Sequence, residues 1–497
     1  MSEAARPYSE SYLQSRARAG RMAVMLSVAC AVSFVSQTAA AGEDPYGFPR
    51  TVRKLTVRFG TEEDARAAQV SAAGLYGRAP MAFSVRWDDT NERHPKKAEM
   101  MNRAGVKGTF YLVNWLHDSP AFIARELKRR GHDVGNHTLS HPRLPQVSPN
   151  RAFREIVLNR MVVETNSAQA VTAYVAPFGW GDSKTSSPDH VALIRRIVSE
   201  SGHFVTCDRA WPALPDGVRA YPVYPARWFM SDDRSPKAEL FRREFSNAVA
   251  EVSAAARPGR VAFAMHAWCD DDGDAVQEAC LGEVVAAHPD YWYAADAAYG
   301  SYCYQRDYVR FRKVRTDGRL AVWEVDGFRA AQLGSAQPLS LVFAASAEAA
   351  EVDGRPLVRG PAGTWDLQPD GKPLCVIGRA DSNGTHAAHP GLSVRMSLDA
   401  DAQVATVEIA NGGAETLENG WAVLLASPEH PDAGRIPLAV GTLRPGVRFV
   451  RRLDLGRRDD RALRAGERPL AVMSFDFSVS DGPCRLWQMA EGNARQR

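Results

Sequence analysis

The sequence predicts an α/β chain: a parallel sheet or barrel wrapped by helices, followed by β-sandwich domains. Two textures carry that prediction. From about residue 80 to 300 short apolar runs alternate with helical stretches, as a parallel sheet requires. Beyond Cys303 the helical periodicity fades and strand-like alternation takes over. The 497 residues correspond to roughly two to four domains. A content of 45% hydrophobic and 24% charged residues is ordinary for a globular chain that can bury real cores.

The first 41 residues read as an export signal and not as packed structure. Arg16, Arg18 and Arg21 make a positive start, MAVMLSVACAVSFV an apolar core, and TAAAG a small-residue cleavage site near Ala41. Translation from Met1 or from Met22 leads to the same reading. Lipid attachment at Cys30 fits less well, because Ser27 is a poor upstream residue and apolar sequence continues past the cysteine. Excision removes four arginines and two glutamates, taking the net charge from +3 to +1. That is no nucleic-acid footprint. No later run approaches the ~20 apolar residues that span a bilayer. The expectation is an exported protein, periplasmic or extracellular, with the cell envelope as one place of association.

In chain order, RKLTVRFG and TEEDARAAQVSAAGLYG form a strand and helix, a lead-in over 42–79 packed against the barrel. MAFSVRW is a strand, NERHPKKAEMMNRAG a helix with a glycine stop, VKGTFYLV a strand, and SPAFIARELKRRG a Ser-Pro-started helix ending at Gly131. HDVGNHT then runs from strand into loop, and the alternation continues to 304. RLAVWEVDG, PLSLVFAAS, GTWDLQ and KPLCVIG make a first sandwich over 305–380. The Gly, Ser, Asn and His-rich stretch 381–391 reads as a linker, and LSVRMSLDA through LAVMSFDFSV as a second sandwich over 392–497. Six cysteines follow the leader, widely spaced and without a C-x-x-C pair. Cys269 with Cys280 is the best local disulfide, and buried free thiols are equally compatible with the spacing.

The chemistry gathers at four places. GHDVGNHTLSHP sets His137 and His141 four apart, which alone is a weak motif that more often marks a cap or a half-buried polar pair. SVRWDDTN delivers Asp88 and Asp89 at the end of an apolar strand, where barrel enzymes collect catalytic groups, although a lone pair of acids there is commonly a turn or helix cap. Asp and two His together make a three-ligand site for a divalent metal. RVAFAMHAWCDDDG delivers His266 at another strand end, and AYVAPFGWGD forces a turn at Pro177-Phe178-Gly179.

These four pieces, in this order, resemble the polysaccharide deacetylase family, carbohydrate esterase family four, also known as the NodB-homology domain. RWDDTN stands for its Phe-Asp-Asp, GNHTLSHP for its His-Ser/Thr-x-x-His, APFGW for its Pro-Tyr/Phe-Gly turn and AFAMHAW for its late strand ending in His. AGVKGTFYLV matches the framing, and the resemblance covers a little under half of the chain. It implies a distorted (β/α) barrel over 80–304, followed by one or two β-sandwich (Ig-like) domains. It also implies a divalent metal, most often zinc, on Asp89, His137 and His141. Asp88 would be the general base, and His266 would protonate the leaving amine or alcohol. The Phe178 N–H, beside Pro177, would face the oxyanion.

Departures from the family pattern accompany the match. The arginine that opens the family's third motif and pairs with the catalytic aspartate is Val175 here, and Arg227 is the candidate substitute, with a surface or structural role as its alternative. The fourth motif survives loosely as CDRAW, in which Asp208 would orient His266 and Trp211 would line the acetyl pocket. In the tail, Trp365, Trp421 or Trp487 could stack on sugar, although a lone tryptophan in a sandwich is usually core. The resemblance therefore implies a metal-dependent hydrolase taking acetyl groups, N-acetyl before O-acetyl, from an acetylated polysaccharide or oligosaccharide. The alternatives are a glycan binder on a decayed barrel and a hydrolase of another non-peptide C–N bond.

Overall fold

The computed structural model describes residues 46–114, 120–179, 187–206, 221–222, 226–228, 235–254, 259–381, 389–399, 401–431, 433–459, 462–464 and 466–493. Side chains are left out at 120, 206, 221–222 and 226–228. The export leader at 1–41 lies outside the described residues. Among those described, no helix is long and apolar enough to cross a membrane.

The chain opens with strand β1 (Thr51–Phe59), helix α1 (Glu62–Ala67) and the short strand β2 (Val70–Ala72). The barrel strands follow: β3 (Met81–Asp88), β4 (Gly108–Leu112), β5 (Asp133–Asn136), β6 (Ala173–Tyr174), β7 (Val205–Thr206), β8 (Tyr221–Pro222), β9 (Ala226–Trp228), β10 (Gly259–His266) and β11 (Trp292–Tyr293). Their order is β8-β7-β6-β5-β4-β3-β10-β9, with β11 also on β3, and every pairing is parallel. Strands β3 to β10 thus follow one another in chain order, with β11 on the β4 side of β3 and no pairing between β8 and β9 among the described residues. Helices α2 (His94–Arg103), α3 (Pro120–Arg129), α4 (Pro149–Ser167), α5 (Pro188–Glu200), α6 (Ala238–Ser253), α7 (Asp271–Ala287) and α8 (Asp296–Tyr308) make the crossovers. Local chemistry starts them. Ser148 and Ser187 accept from backbone N–H groups at the heads of α4 and α5, each ahead of a proline, and Asp270 does so at α7.

The inward side of these strands carries buried charge beside an apolar cluster that includes Ala82, Ala173, Val175 and Ala262. Arg260 on β10 pairs with Asp296, whose other oxygen accepts from Tyr111 Oη at 2.5 Å. Gly135 lets β5 pass this tyrosine, since a Cβ there would lie 2.5 Å from its ring.

Strand β1 is not a lead-in to the barrel, and the boundary at residue 79 is corrected. It pairs antiparallel with β13 (Leu320–Gly327) on one side and β15 (Ala347–Val352) on the other, 260 and more residues away in sequence. With β12 (Arg310–Asp317) and β16 (Arg355–Pro356) these form one five-stranded sheet; β14 (Leu339–Phe343), β17 (Val358–Arg359), β18 (Trp365–Leu367) and β2 form the other. Leu55, Val57 and Phe59 interleave with Trp323, Leu341 and Trp365 between the sheets. Removing alternate side chains of β1 from water is what recruits it.

The next boundary also moves. Strand β19 (Cys375–Arg379) pairs parallel with β26 (Gly482–Glu491), so KPLCVIG belongs to the last domain and the stretch 381–391 lies within that domain, most of it outside the described residues. The order there is β19-β26-β25-β22-β23 facing β20-β21-β24, with β20 (Leu392–Leu398), β21 (Val404–Asn411), β22 (Leu417–Ala426), β23 (Arg435–Leu443), β24 (Arg448–Asp454) and β25 (Leu470–Val479). Two sandwiches stand, and neither strand order establishes an Ig-like topology. Trp365 and Trp487 are buried and leave no face for sugar. Cys269, Cys280, Cys303, Cys375 and Cys484 are free thiols. The Cys269–Cys280 bridge does not form, because Cys269 Sγ is turned to Lys97 Nζ at 2.9 Å.

The last sandwich is bonded to the barrel through α4. Glu164, fully buried, accepts from Arg160 Nε at 2.9 Å, from Val171 N at 2.9 Å, from Arg485 Nη1 at 3.1 Å and from Trp487 Nε1 at 3.0 Å. Val376, Val423, Leu425 and Val472 continue the contact in one core with Phe153, Ile156 and Val157 of α4. Burial alone would push the Glu164 carboxyl up, but Arg160 and Arg485 outweigh it and hold it below its ordinary value of 4.5. Because the folded carboxyl is depressed, its contribution is complete above that value and fades as pH falls below it. Glu164→Gln takes the carboxylate from the buried Arg160 and leaves Arg485 with Asp476 as its acid, and urea unfolding at pH 7 should show a loss of about 3 kcal/mol. The gap to wild type should narrow below pH 4.5.

Candidate metal centre

The site sits at the carboxyl ends of β3, β5 and β10, the end at which barrel loops gather reactive groups. Strand β3 runs out at Asp88, and Asp89 turns the chain in a left-handed conformation at φ +64. Strand β5 ends at Asn136, so His137 follows it directly. The loop to His141 is then tied down from α4. Asn136 Oδ1 accepts from Thr138 N at 3.0 Å and from Asn159 Nδ2 at 2.7 Å. Glu155 accepts from Ser140 N at 2.7 Å and from Ser140 Oγ at 2.6 Å. His141 N donates to Thr138 Oγ1 at 3.1 Å.

Three ligand atoms converge. His141 Nε2 lies 3.0 Å and His137 Nε2 3.5 Å from Asp89 Oδ1, and the set lies within 4.8 Å overall. His137 Nδ1 is 2.8 Å from Val175 O. A carbonyl only accepts, so in the neutral ring Nδ1 carries the proton and Nε2 turns its lone pair toward Asp89 Oδ1. Two acceptors facing each other repel unless a cation lies between them. A divalent metal therefore fits these residues, and the carbonyl-held imidazole is the usual support of a metal-ligating histidine.

Backbone strain marks the same place. Of ten non-glycine residues with positive φ among those described, four are Asp89, Thr138 at +69, His141 at +55 and Phe178 at +59. Thr138 is the most telling, since a β-branched side chain disfavours this region. Such conformations cost about 1–3 kcal/mol each and persist where the surroundings hold them.

Asp88 is buried below the ligand Asp89, and its partner is a residue that the sequence reading missed. Arg86, two positions earlier on β3 and so on the same face, reaches Asp88 Oδ2 with Nη2 at 3.0 Å. Its neighbour in register on β10 is Ala264, a small side chain that leaves room for it. The available signal was an arginine inside the run MAFSVRW, where a central strand otherwise carries apolar residues. Val175, at the position where the family has arginine, is buried and apolar, and it serves the site through its carbonyl. Arg227 has only its backbone described, paired with Phe263. Asp208 and Trp211 lie outside the described residues.

His266 stands in register beside Asp88, with Nε2 3.7 Å from Asp89 Oδ2. Its ring stacks on Trp268 at 4.0 Å and 6°. Across the site Phe178 meets His141 at 4.7 Å, with the Arg143 guanidinium 4.4 Å over its ring. The turn at Pro177 is closed by Gly179 N on Ala176 O at 3.1 Å. The Phe178 N–H is outside that bond.

The parallel sheet thus carries, at the carboxyl ends of its strands, an Asp, His and His set that could hold a metal ion, beside a second aspartate and a third histidine. Residues 80–189 match the family model for polysaccharide deacetylase, and this part of the chain belongs to that family. A peptidoglycan-N-acetylglucosamine deacetylase of Bacillus cereus is 26% identical over 107 residues, which are 22% of this chain and 39% of that protein. A chitooligosaccharide deacetylase of Sinorhizobium fredii is 25% identical over 171 residues, 33% of this chain and 76% of that one. The chain thus spans about two fifths of the first relative. A solved peptidoglycan N-acetylglucosamine deacetylase is 15% identical, with 46% of this chain and 90% of that one aligned at a TM-score of 0.32, a likeness too slight to carry an argument.

Zinc titration of the full chain against a competing chelator checks the centre. Asp89→Ala and His137→Ala should each weaken binding by at least about a hundredfold, the upper end of what loss of a supporting partner costs. Glu155→Gln, which loosens only the loop, should cost about tenfold.

Proposed function

We propose that the chain is a metal-dependent hydrolase that removes acetyl groups, N-acetyl in preference to O-acetyl, from an acetylated glycan outside the cytoplasm. The single observation that carries this is the buried Arg86–Asp88 pair at 3.0 Å beside the Asp89, His137 and His141 cluster. Two charges taken out of water are costly. A surface that merely held sugar would have no use for them.

Asp89, His137 and His141 would hold the divalent ion, zinc being well suited to such an Asp-His-His set. When bound, the ion supplies Lewis acidity toward the acetyl carbonyl and acidifies water. The chain's own groups do the rest. Arg86 engages Asp88 Oδ2 and holds the carboxylate in place, while Oδ1 has no hydrogen-bond partner among the described residues. Oδ1 is thereby the atom that takes the proton of the attacking water. The Phe178 N–H, outside the turn's own bond, would donate to the oxyanion. His266, on the other side of Asp89, hands a proton to the departing amine, without which the C–N bond does not break at neutral pH.

The reading as a glycan binder on a decayed barrel rested on Val175 standing where an arginine is usual. Arg86 supplies that guanidinium from another strand, so the absence at 175 no longer favours decay. Export to the periplasm or beyond is part of the proposal and rests on the leader-like first 41 residues. The glycan class follows the names of the two relatives, a peptidoglycan-N-acetylglucosamine deacetylase and a chitooligosaccharide deacetylase.

Acetate release from chitin-type and xylan-type oligosaccharides by the zinc-loaded full chain is the test. Release should vanish in Asp88→Ala and His137→Ala. Arg86→Met should retain zinc and lose about 10²–10³ in kcat, within the range that a positioned general base contributes. Wild-type protein that binds zinc and releases nothing from either series would overturn the hydrolase reading.

A further inference from the structure

Trp268 is the one exposed tryptophan among the described residues, at 49%. Trp87, Trp323, Trp365 and Trp487 are buried, as the size of an indole favours. Trp268 follows His266 by two residues beyond β10 and lies flat on its imidazole, ring centres 4.0 Å apart and planes within 6°. One face is closed by the proposed acid, and the residue as a whole is half exposed. An indole presented in this way offers an apolar plane to the C–H face of a pyranose.

We propose that Trp268 is a sugar platform, on which one residue of a glycan chain stacks while its neighbour is deacetylated, making the substrate an oligosaccharide and not a single acetylated sugar. This rests on the deacetylase reading. The geometry assigns the neighbour as follows. A ring on the outer face lies two stacking distances from His266, about 8 Å given contact separations near 4 Å, and the indole stands between them. The acid must come within hydrogen-bond reach of the nitrogen it protonates, so the stacked ring is not the one losing its acetyl group. Phe178, the exposed ring on the other flank, has the Arg143 guanidinium over it and His141 against it, which leaves Trp268 as the platform. The same contact steadies the His266 ring when sugar is bound.

The test compares N-acetylglucosamine with its dimer, trimer and tetramer as substrates for the zinc-loaded full chain, wild type beside Trp268→Ala and Trp268→Tyr. In wild type kcat/KM should climb with chain length. Trp268→Ala should lose about tenfold of that climb, mostly through KM, as expected for one aromatic contact, and Trp268→Tyr should recover most of it. In parallel, calorimetry with Asp88→Ala reads binding without turnover, and the double variant Asp88→Ala, Trp268→Ala should bind the tetramer about tenfold more weakly. Equal chain-length dependence in wild type and Trp268→Ala overturns the platform alone. Trp268-dependent binding without turnover in any wild-type assay upholds the platform and overturns the hydrolase. Neither binding nor release across the series overturns both.

Discussion

Asp89 Oδ1 and His137 Nε2 are held 3.5 Å apart, and much of the surrounding structure is organised to enforce that approach. Val175 O fixes the imidazole proton on the far nitrogen. The left-handed residues Asp89, Thr138 and His141 bend both loops inward at conformational cost. Helix α4 then holds the histidine loop from behind through Glu155 and Asn159. A cation held by these groups would offset that cost, and the cluster could hold one.

Helix α4 has a second role that links the centre to the last sandwich. The residues that hold the histidine loop are in its first half, and Glu164 near its end gathers Arg160, Arg485 and Trp487. The sandwich is thus no pendant module on a flexible tether. Its core merges with that of the helix, and Trp487 contributes packing and an indole N–H to Glu164 where sugar stacking had been considered.

Charge is also layered within the barrel. Arg260 with Asp296 occupies the level below, and Arg86 with Asp88 the level at the site. Both pairs lie on inward positions of β3 and β10 or against them, spaced by the two-residue period of a strand. The small residues Ala262 and Ala264, register partners of Ser84 and Arg86, give these side chains their space. A carboxylate positioned by its own strand is set by backbone geometry, with little freedom to swing away.

The sequence by itself determined the strand–helix alternation, the glycine-stopped ends of α2 and α3, and the residues that cluster at the site, because these depend on neighbours a few positions apart. Asp88 and Asp89 had to share a strand end, and His137 and His141 had to share a loop. Tertiary structure alone decided that β1 completes a sheet with strands beyond residue 320, that KPLCVIG pairs with the final strand, and that Cys269 faces Lys97 and not Cys280. It also decided that the arginine serving Asp88 is Arg86. Periodicity states which face of a strand is apolar, whereas the partner of that face, or of a buried charge, is selected by packing and register across hundreds of residues.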